Sequence, residues 1–375
     1  MTDVYGRTAA HEDTDQGLFE IDDTAVVQIR VHNGPISDLA ISRDGRRLLV
    51  TNYGRHSVSI IDTDTFRVTD TVDGLSEPSA IAMSAAGADR AYVSTAGAAY
   101  DSVAVIDVAT STPVAMHRLA LSLTDLTVSA DGKYLYASRN GARGADVAVV
   151  DAATGELEVV DLATAPGTTT ECLCVGVDGR RLYVGTNGPF GGNLVAIDTR
   201  TRSDGGRVGG RSRIVGTVEL GLPVRDVALS KDGGTAYVAS CGPVVGAVLD
   251  VVDTRTNKIT ATRKINEIPG ALTRLTLSND GRRAYLVSDD RITVLGTRTQ
   301  DVVGEVTLTN DPSCLVESPD GRYLYIADYS GVVTAARVVP ADRLAIDGAA
   351  PTANAHAAWA PELPCQLPQW EPVLA

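Results

Sequence analysis

Short apolar runs that end in small polar residues recur along the chain: RLLVTNYG (47–54), RAYVSTAG (90–97), YLYASRNG (134–141), RLYVGTNG (181–188), TAYVASCG (235–242), RAYLVSDD (283–290) and YLYIADYS (323–330). An Asp-Gly turn, or a degenerate form of it, precedes each run. The turn glycines are Gly45, Gly87, Gly132, Gly179, Gly233, Gly281 and Gly321. Their six intervals are 42, 45, 47, 54, 48 and 40 residues, a mean of 46. That period matches the ~40–50 residues of a four-stranded propeller blade.

The pattern divides each unit into four strands. An inner strand precedes the turn, as in DLAIS (38–42), DLTVS (125–129), DVALS (226–230) and RLTLS (274–278). The recurring run is the second strand. A third follows, as in SVSIID (57–62) and SVAVID (102–107), and then a fourth, as in RVTDTV (67–72) or EVTL (305–308). Short β-rich runs separated by Gly, Asp, Asn and Ser fit an antiparallel meander. No stretch shows sustained helical periodicity. The third strand usually closes on Asp-Thr or a variant, at Asp62, Asp107, Asp151, Asp198 and Asp253. Such a carboxylate accepts a hydrogen bond from its own turn backbone. A residue repeated once per blade serves the blade, so these acids are read as structural.

The seventh unit has inner (314–318), second (322–328) and third (331–338) strands but no fourth, whereas AVVQIRV (25–31) has no preceding partners. Using 25–31 as the outer strand of the seventh blade closes the ring and leaves no open edge between first and last blades. The expected fold is therefore all-β: a seven-bladed β-propeller closed by an N-terminal strand that completes the last blade, with a Pro-rich C-terminal extension. The chain divides into an N-terminal extension (1–24), the propeller (25–338) and a tail (339–375) packed on it. Residues 340–375 hold six prolines and both tryptophans of the chain, Trp359 and Trp370. Tryptophan is enriched at contact surfaces, which is why the tail is expected to dock.

The YVTN-like second strands followed by "IDT-T" third strands resemble the YVTN-repeat β-propellers, the surface-layer and lactonase-type seven-bladed proteins, over about residues 25–338. The resemblance implies the fold and a choice of functions, since such proteins range from binding scaffolds to enzymes.

Charge narrows the choice. The chain carries 33 basic and 47 acidic residues, a net charge of −14. Nucleic acid and anionic membranes both call for a basic footprint, so neither is expected as a partner. No run approaches the ~18 apolar residues of a membrane span, and the polar start MTDVYGRTAAHEDTDQGLFE has no signal-peptide pattern. Five cysteines without framework spacing point to a reduced, cytoplasmic protein. The alanine-, arginine- and valine-rich usage suggests a bacterial source. One insertion, RTRSDGGRVGGRSR (200–213), is basic and glycine-rich and reads as a loop.

Candidate chemistry follows from alignment on the turn glycine. Seven positions before it stand Asp38, Ala80, Asp125, Cys172, Asp226, Arg274 and Cys314. One position earlier come Ser37, Ser79, Thr124, Glu171, Arg225, Thr273 and Ser313. These slots should ring the upper mouth of the central channel. Loops between second and third strands add Asn52, His56 and Arg139. The expected ligand-binding set is Asp38, Asn52, His56, Asp125, Arg139, Glu171, Arg225, Asp226 and Arg274. Mixed carboxylate, guanidinium and amide groups suit a polar or anionic small ligand, or a protein partner. The first reading is a non-enzymatic, monomeric scaffold. The alternative is a lactonase-like hydrolase in the same funnel, which needs a base and oxyanion donors. No metal or haem motif and no nucleophile elbow occurs, so neither metal nor cofactor is expected.

Overall fold

A computed structural model describes residues 19–31, 34–84, 89–120, 122–141, 144–162, 165–199, 211–268, 270–307 and 311–339. The C-terminal tail from residue 340, most of the basic insertion and the first eighteen residues lie outside them.

Among the described residues, twenty-eight strands form seven four-stranded antiparallel sheets, and one 3₁₀ turn spans Tyr53–Arg55. Blade one consists of Ile36–Ile41, Arg47–Asn52, Ser57–Asp62 and Arg67–Asp73, in spatial order from inner to outer strand. Blades two to six repeat that order over 81–118, 123–161, 169–219, 224–265 and 272–306. In blade seven, Pro312–Glu317, Tyr323–Asp328 and Val332–Val338 are completed by the N-terminal strand Ile21–Arg30. That strand is longer than its apolar run because a bulge between Asp22 and Val26 lets Ile21 still pair with Val338. The ring is thus closed by pairing of Ile21–Arg30 with Val332–Val338.

The repeated turn has a local cause. In blade one, Ser42 Oγ donates to Asp44 Oδ1, which also accepts from the Arg46 N–H, while the Arg47 N–H donates back to Ser42 Oγ. The same box recurs at Ser129–Asp131, Ser230–Asp232, Ser278–Asp280 and Ser318–Asp320. The following residue takes positive φ, +74° at Gly45 and +70° at Gly321, where a side chain is strained. The Asp-Thr motif on the third strand acts likewise: Asp62 Oδ1 accepts from the Thr65 N–H at 2.8 Å and from its hydroxyl at 2.7 Å.

Apolar residues alternate to both faces of each sheet, so every blade packs on two neighbours. Ile29, Leu39, Val50, Ile61, Tyr325 and Ala335 form one such layer between blades seven and one. Hydrophobic burial, at about 25 cal/mol per Å² of apolar surface, drives this stacking.

Candidate functional site

The inner strands set the site. Each of six inner strands breaks register just before the aligned slot, as between Ile36 and Leu39, Leu123 and Asp125, or Val224 and Asp226. Such a bulge gives the inner strand an extra, unpaired residue.

Three ring carboxylates then do the same thing. Asp38 Oδ1 accepts from the Leu39 N–H at 2.9 Å, and its Oδ2 accepts from the Ile81 N–H of blade two at 3.1 Å. Asp125 takes the N–H of Leu126 at 2.8 Å and of Leu173, in blade four, at 2.9 Å. Asp226 takes the N–H of Val227 at 2.8 Å and of Leu275, in blade six, at 2.9 Å. Each carboxylate therefore staples an odd-numbered blade to the next. Seven blades leave one over. Blade seven carries Cys314 in this slot, and Arg274 of blade six reaches past it to within 3.9 Å of Asp38 in blade one.

Electrostatics follow from the crowding. Burial pushes the Asp125 carboxyl up to about 7, against the pull of Arg274, with Asp226 and Asp38 adding to the rise. Burial raises Asp38 and Asp226 as well, again opposed by Arg274. Arg274 is held more firmly charged, above all by Asp38, then by Asp226 and Asp125. Burial also lifts the Cys174 and Cys314 thiols to about 12 and Cys172 well above its ordinary value, which leaves them unreactive.

A second layer lies above. Glu171 meets Arg225 at 3.5 Å and accepts from Asn187 Nδ2 at 3.4 Å. Asn187 also clasps the Val224 peptide of blade five, accepting its N–H at 2.7 Å and donating to its carbonyl at 2.9 Å. Asn140 does likewise to Thr170 of blade four. Arg225 Nε is buried with no partner among the described residues.

Three expected residues stand apart. Asn52 is buried and donates to Ser57 and Ser59 of its own blade. Arg139 is buried and pairs with Asp146 across its hairpin at 2.7 Å. His56 sits exposed in a left-handed turn, its Nδ1 accepting from the Glu77 N–H at 3.0 Å. The structure thus brings together Asp38, Asp125, Asp226 and Arg274 in the ring, with Glu171 and Arg225 above them. Of the residues that the sequence also places near the upper face, His32 and Arg143 lie outside the described residues.

Two further features have only a faint sequence signal. The second and third strands of blades three, four and five run eight residues, against six in blades one and two. In blades four and five these longer hairpins raise Phe190 and Val244, 92% and 93% exposed. The Gly-Pro pairs in NGPFGG and CGPVVG are the visible trace. A side chain at Gly192 would put its Cβ 2.3 Å from the Leu222 carbonyl, so only glycine lets the linker pass beneath the blade-four hairpin.

A closed ring of seven four-stranded blades with a polar, internally bonded upper mouth defines a seven-bladed β-propeller protein. The chain is 58% identical over 356 residues, 89% of its length and 90% of the relative's, to "Seven-bladed beta-propeller protein Rv1057" of Mycobacterium tuberculosis (strain ATCC 25618 / H37Rv), and it belongs to that family. No family model matches. Among solved structures it resembles Kuenenia stuttgartiensis hydrazine synthase, with TM-score 0.67 and 21% identity, over 81% of this chain and 96% of that one. It also resembles the Cps50 (Swd1) β-propeller domain of Myceliophteria thermophila, with TM-score 0.65 and 14% identity, over 82% and 99%. At these identities the likeness is one of fold.

Proposed function

We propose that the protein is a non-enzymatic docking scaffold that receives a protein partner on its upper face. The observation that carries this reading is the use made of the ring carboxylates. Both oxygens of Asp38, Asp125 and Asp226 accept backbone N–H groups, so each oxygen has one of its two lone-pair directions committed to the fold and each carboxyl is fixed in place by two blades. Beside this ring, Phe190 and Val244 present apolar tips of the kind that anchor protein interfaces. The lactonase-like alternative would need a general base in the funnel, and His56 is tied to the Glu77 backbone on the rim of blade one.

A small polar or anionic ligand is the second reading. The buried, partnerless Nε of Arg225 and its loose 3.5 Å pairing with Glu171 favour it, because an anion would complete that guanidinium. The resemblance of the second and third strands to YVTN-repeat propellers is compatible with a scaffold equally well. No described helix is long and apolar enough to cross a membrane, and Cys172, Cys174, Cys241 and Cys314 are free thiols, which supports a reducing, cytoplasmic setting. The charge of −14 supports a partner other than nucleic acid.

The test is a thermal-shift and turnover screen with sugar lactones, sugar phosphates and carboxylates, beside capture of partners by the intact chain. The scaffold reading expects no turnover, and capture lost in a Phe190→Ser/Val244→Ser double variant but kept in Asp125→Ala. Turnover abolished by Arg274→Ala would establish the enzyme instead. A ligand-induced shift lost in Arg225→Ala would establish the small-ligand reading.

A further inference from the structure

The outer edge of blade two is uncharged and exposed along most of its length. Its outer strand, Thr112–Arg118, presents Thr112, Pro113, Val114, Ala115 and Met116 to solvent with no charge among them. Val114 and Met116 are 50% and 52% exposed, and Leu157 and Val159 of the next blade's outer strand are 46% and 49% exposed. The outer strands of blades one and five instead carry Arg67, Asp70 and Asp73, or Lys258, Arg263 and Lys264. Uncharged strand edges are templates for another segment of chain, and native proteins usually guard or cover them.

A cleft of about 430 Å³ opens on this rim, lined by Met116, His117, Arg118, Leu119, Leu157 and the turn at 152–155 of blade three. Arg118 is its one charged lining residue, with the guanidinium 4.7 Å above the Tyr100 ring. His117 Nε2 is buried and has no hydrogen-bond partner among the described residues. Burial lowers the pKa of this imidazole against a weaker opposing pull from Asp151, so the ring is neutral at pH 7 and one of its nitrogens is an acceptor.

We propose that the C-terminal segment beyond residue 339 of the same chain docks in this cleft, placing one indole against Met116 with its N–H directed at His117. Both tryptophans of the chain lie in that segment. An indole matches the cleft, since it joins a large apolar body to a single donor, and a methionine thioether packs well on aromatic rings. Reach is sufficient. The described chain ends at Val339, bonded to the Glu20 carbonyl at 2.9 Å, and Trp359 is 20 residues further on. Extended, that stretch spans about 65 Å, against a radius of gyration of about 21 Å for a domain of this length. Charge agrees too: the segment has four acids (Asp342, Asp347, Glu362, Glu371) and one arginine, Arg343, opposite a cleft whose charge is Arg118.

Because Trp359 and Trp370 are the only tryptophans, emission excited selectively at tryptophan reports this segment alone. The full-length chain is compared with Trp359→Phe and Trp370→Phe, then with Met116→Asp and His117→Gln added to each. One indole is expected to emit towards the blue and to resist acrylamide. Met116→Asp should move it to the emission of free indole, with quenching several-fold faster, and His117→Gln should move it less. An unchanged melting curve shows that the propeller itself is intact. Three results overturn the proposal: both indoles water-like in the native chain, shielding that survives both substitutions, or shielding lost on dilution, which assigns the occupant to a second copy.

Discussion

The inner ring and the outer rim of this propeller hold similar groups in opposite states. At the ring, Asp38, Asp125 and Asp226 look like a catalytic constellation, yet each has both oxygens engaged by the backbone of two blades. At the rim of blades two and three, His117 Nε2 is partnerless and Met116 and Val114 are half-exposed. Charge converging on the channel is here engaged by the backbone of the blades themselves. A guide to binding is which groups the fold has left unsatisfied, because buried polar atoms without partners are rare in native structures.

The largest effect is expected at the ring's closure. Deleting residues 1–31 removes Phe19, Ile29 and Val31, all buried, and strips blade seven of its outer strand. At 1.5–3 kcal/mol per buried apolar side chain the loss is roughly 5–9 kcal/mol, comparable to the whole stability of an ordinary domain. The truncated chain should show little or no cooperative melting transition by circular dichroism.

The next effect concerns a staple. Asp125→Ala leaves the Leu126 and Leu173 N–H groups without acceptors. An unsatisfied buried group costs about 1–3 kcal/mol, so urea denaturation at pH 5 should show a loss of at least that size. If Asp125→Ala is neutral at pH 5, the ring is not a stapling device.

The staple also depends on pH. The folded Asp125 carboxyl titrates at about 7, above its ordinary 3.8. Between those values the folded chain binds more protons than the unfolded one, so stability falls as pH rises. Asp125 thus contributes fully below about pH 4 and progressively less up to about pH 7, with a slope of at most ~1.4 kcal/mol per pH unit. Asp125→Ala should flatten that slope, and the gap between variant and native chain should narrow towards pH 8.

The smallest expected effect is at the rim. Met116 is 52% exposed, so Met116→Asp should change the unfolding free energy, read by urea denaturation, by less than about 0.5 kcal/mol. A large loss there would mean that the rim, too, is part of the fold's framework.

Much of this architecture was legible in the chain. The turn box is local: Ser42, Asp44 and Gly45 bond within a few residues of one another, so the sequence repeats it visibly. Closure was legible because 25–31 alternates like a strand and has no neighbour in sequence, though the bulge after Asp22 extended the strand to Ile21. Aligning on the turn glycine also brought Asp38, Asp125, Asp226 and Arg274 to one ring. Their role was not legible. It depends on where a bulge in one blade points the N–H of the next, at separations of 43 to 49 residues. The partners of Asn52 and Arg139 were not legible for a related reason: both sit on hairpins that reach the upper face, and Ser59 and Asp146, which bond them, lie across the sheet. Phe190 and Val244 escaped notice because an apolar residue in a loop carries no periodic signal.

Hydrogen exchange of three amides tests the stapling claim most directly. The N–H groups of Ile81, Leu173 and Leu275 face Asp38, Asp125 and Asp226 across blade boundaries. Each should exchange only through global unfolding in the native chain, and each should lose protection selectively when its own partner, and not the other two, is changed to alanine. Unchanged protection of Leu173 in Asp125→Ala would contradict the account.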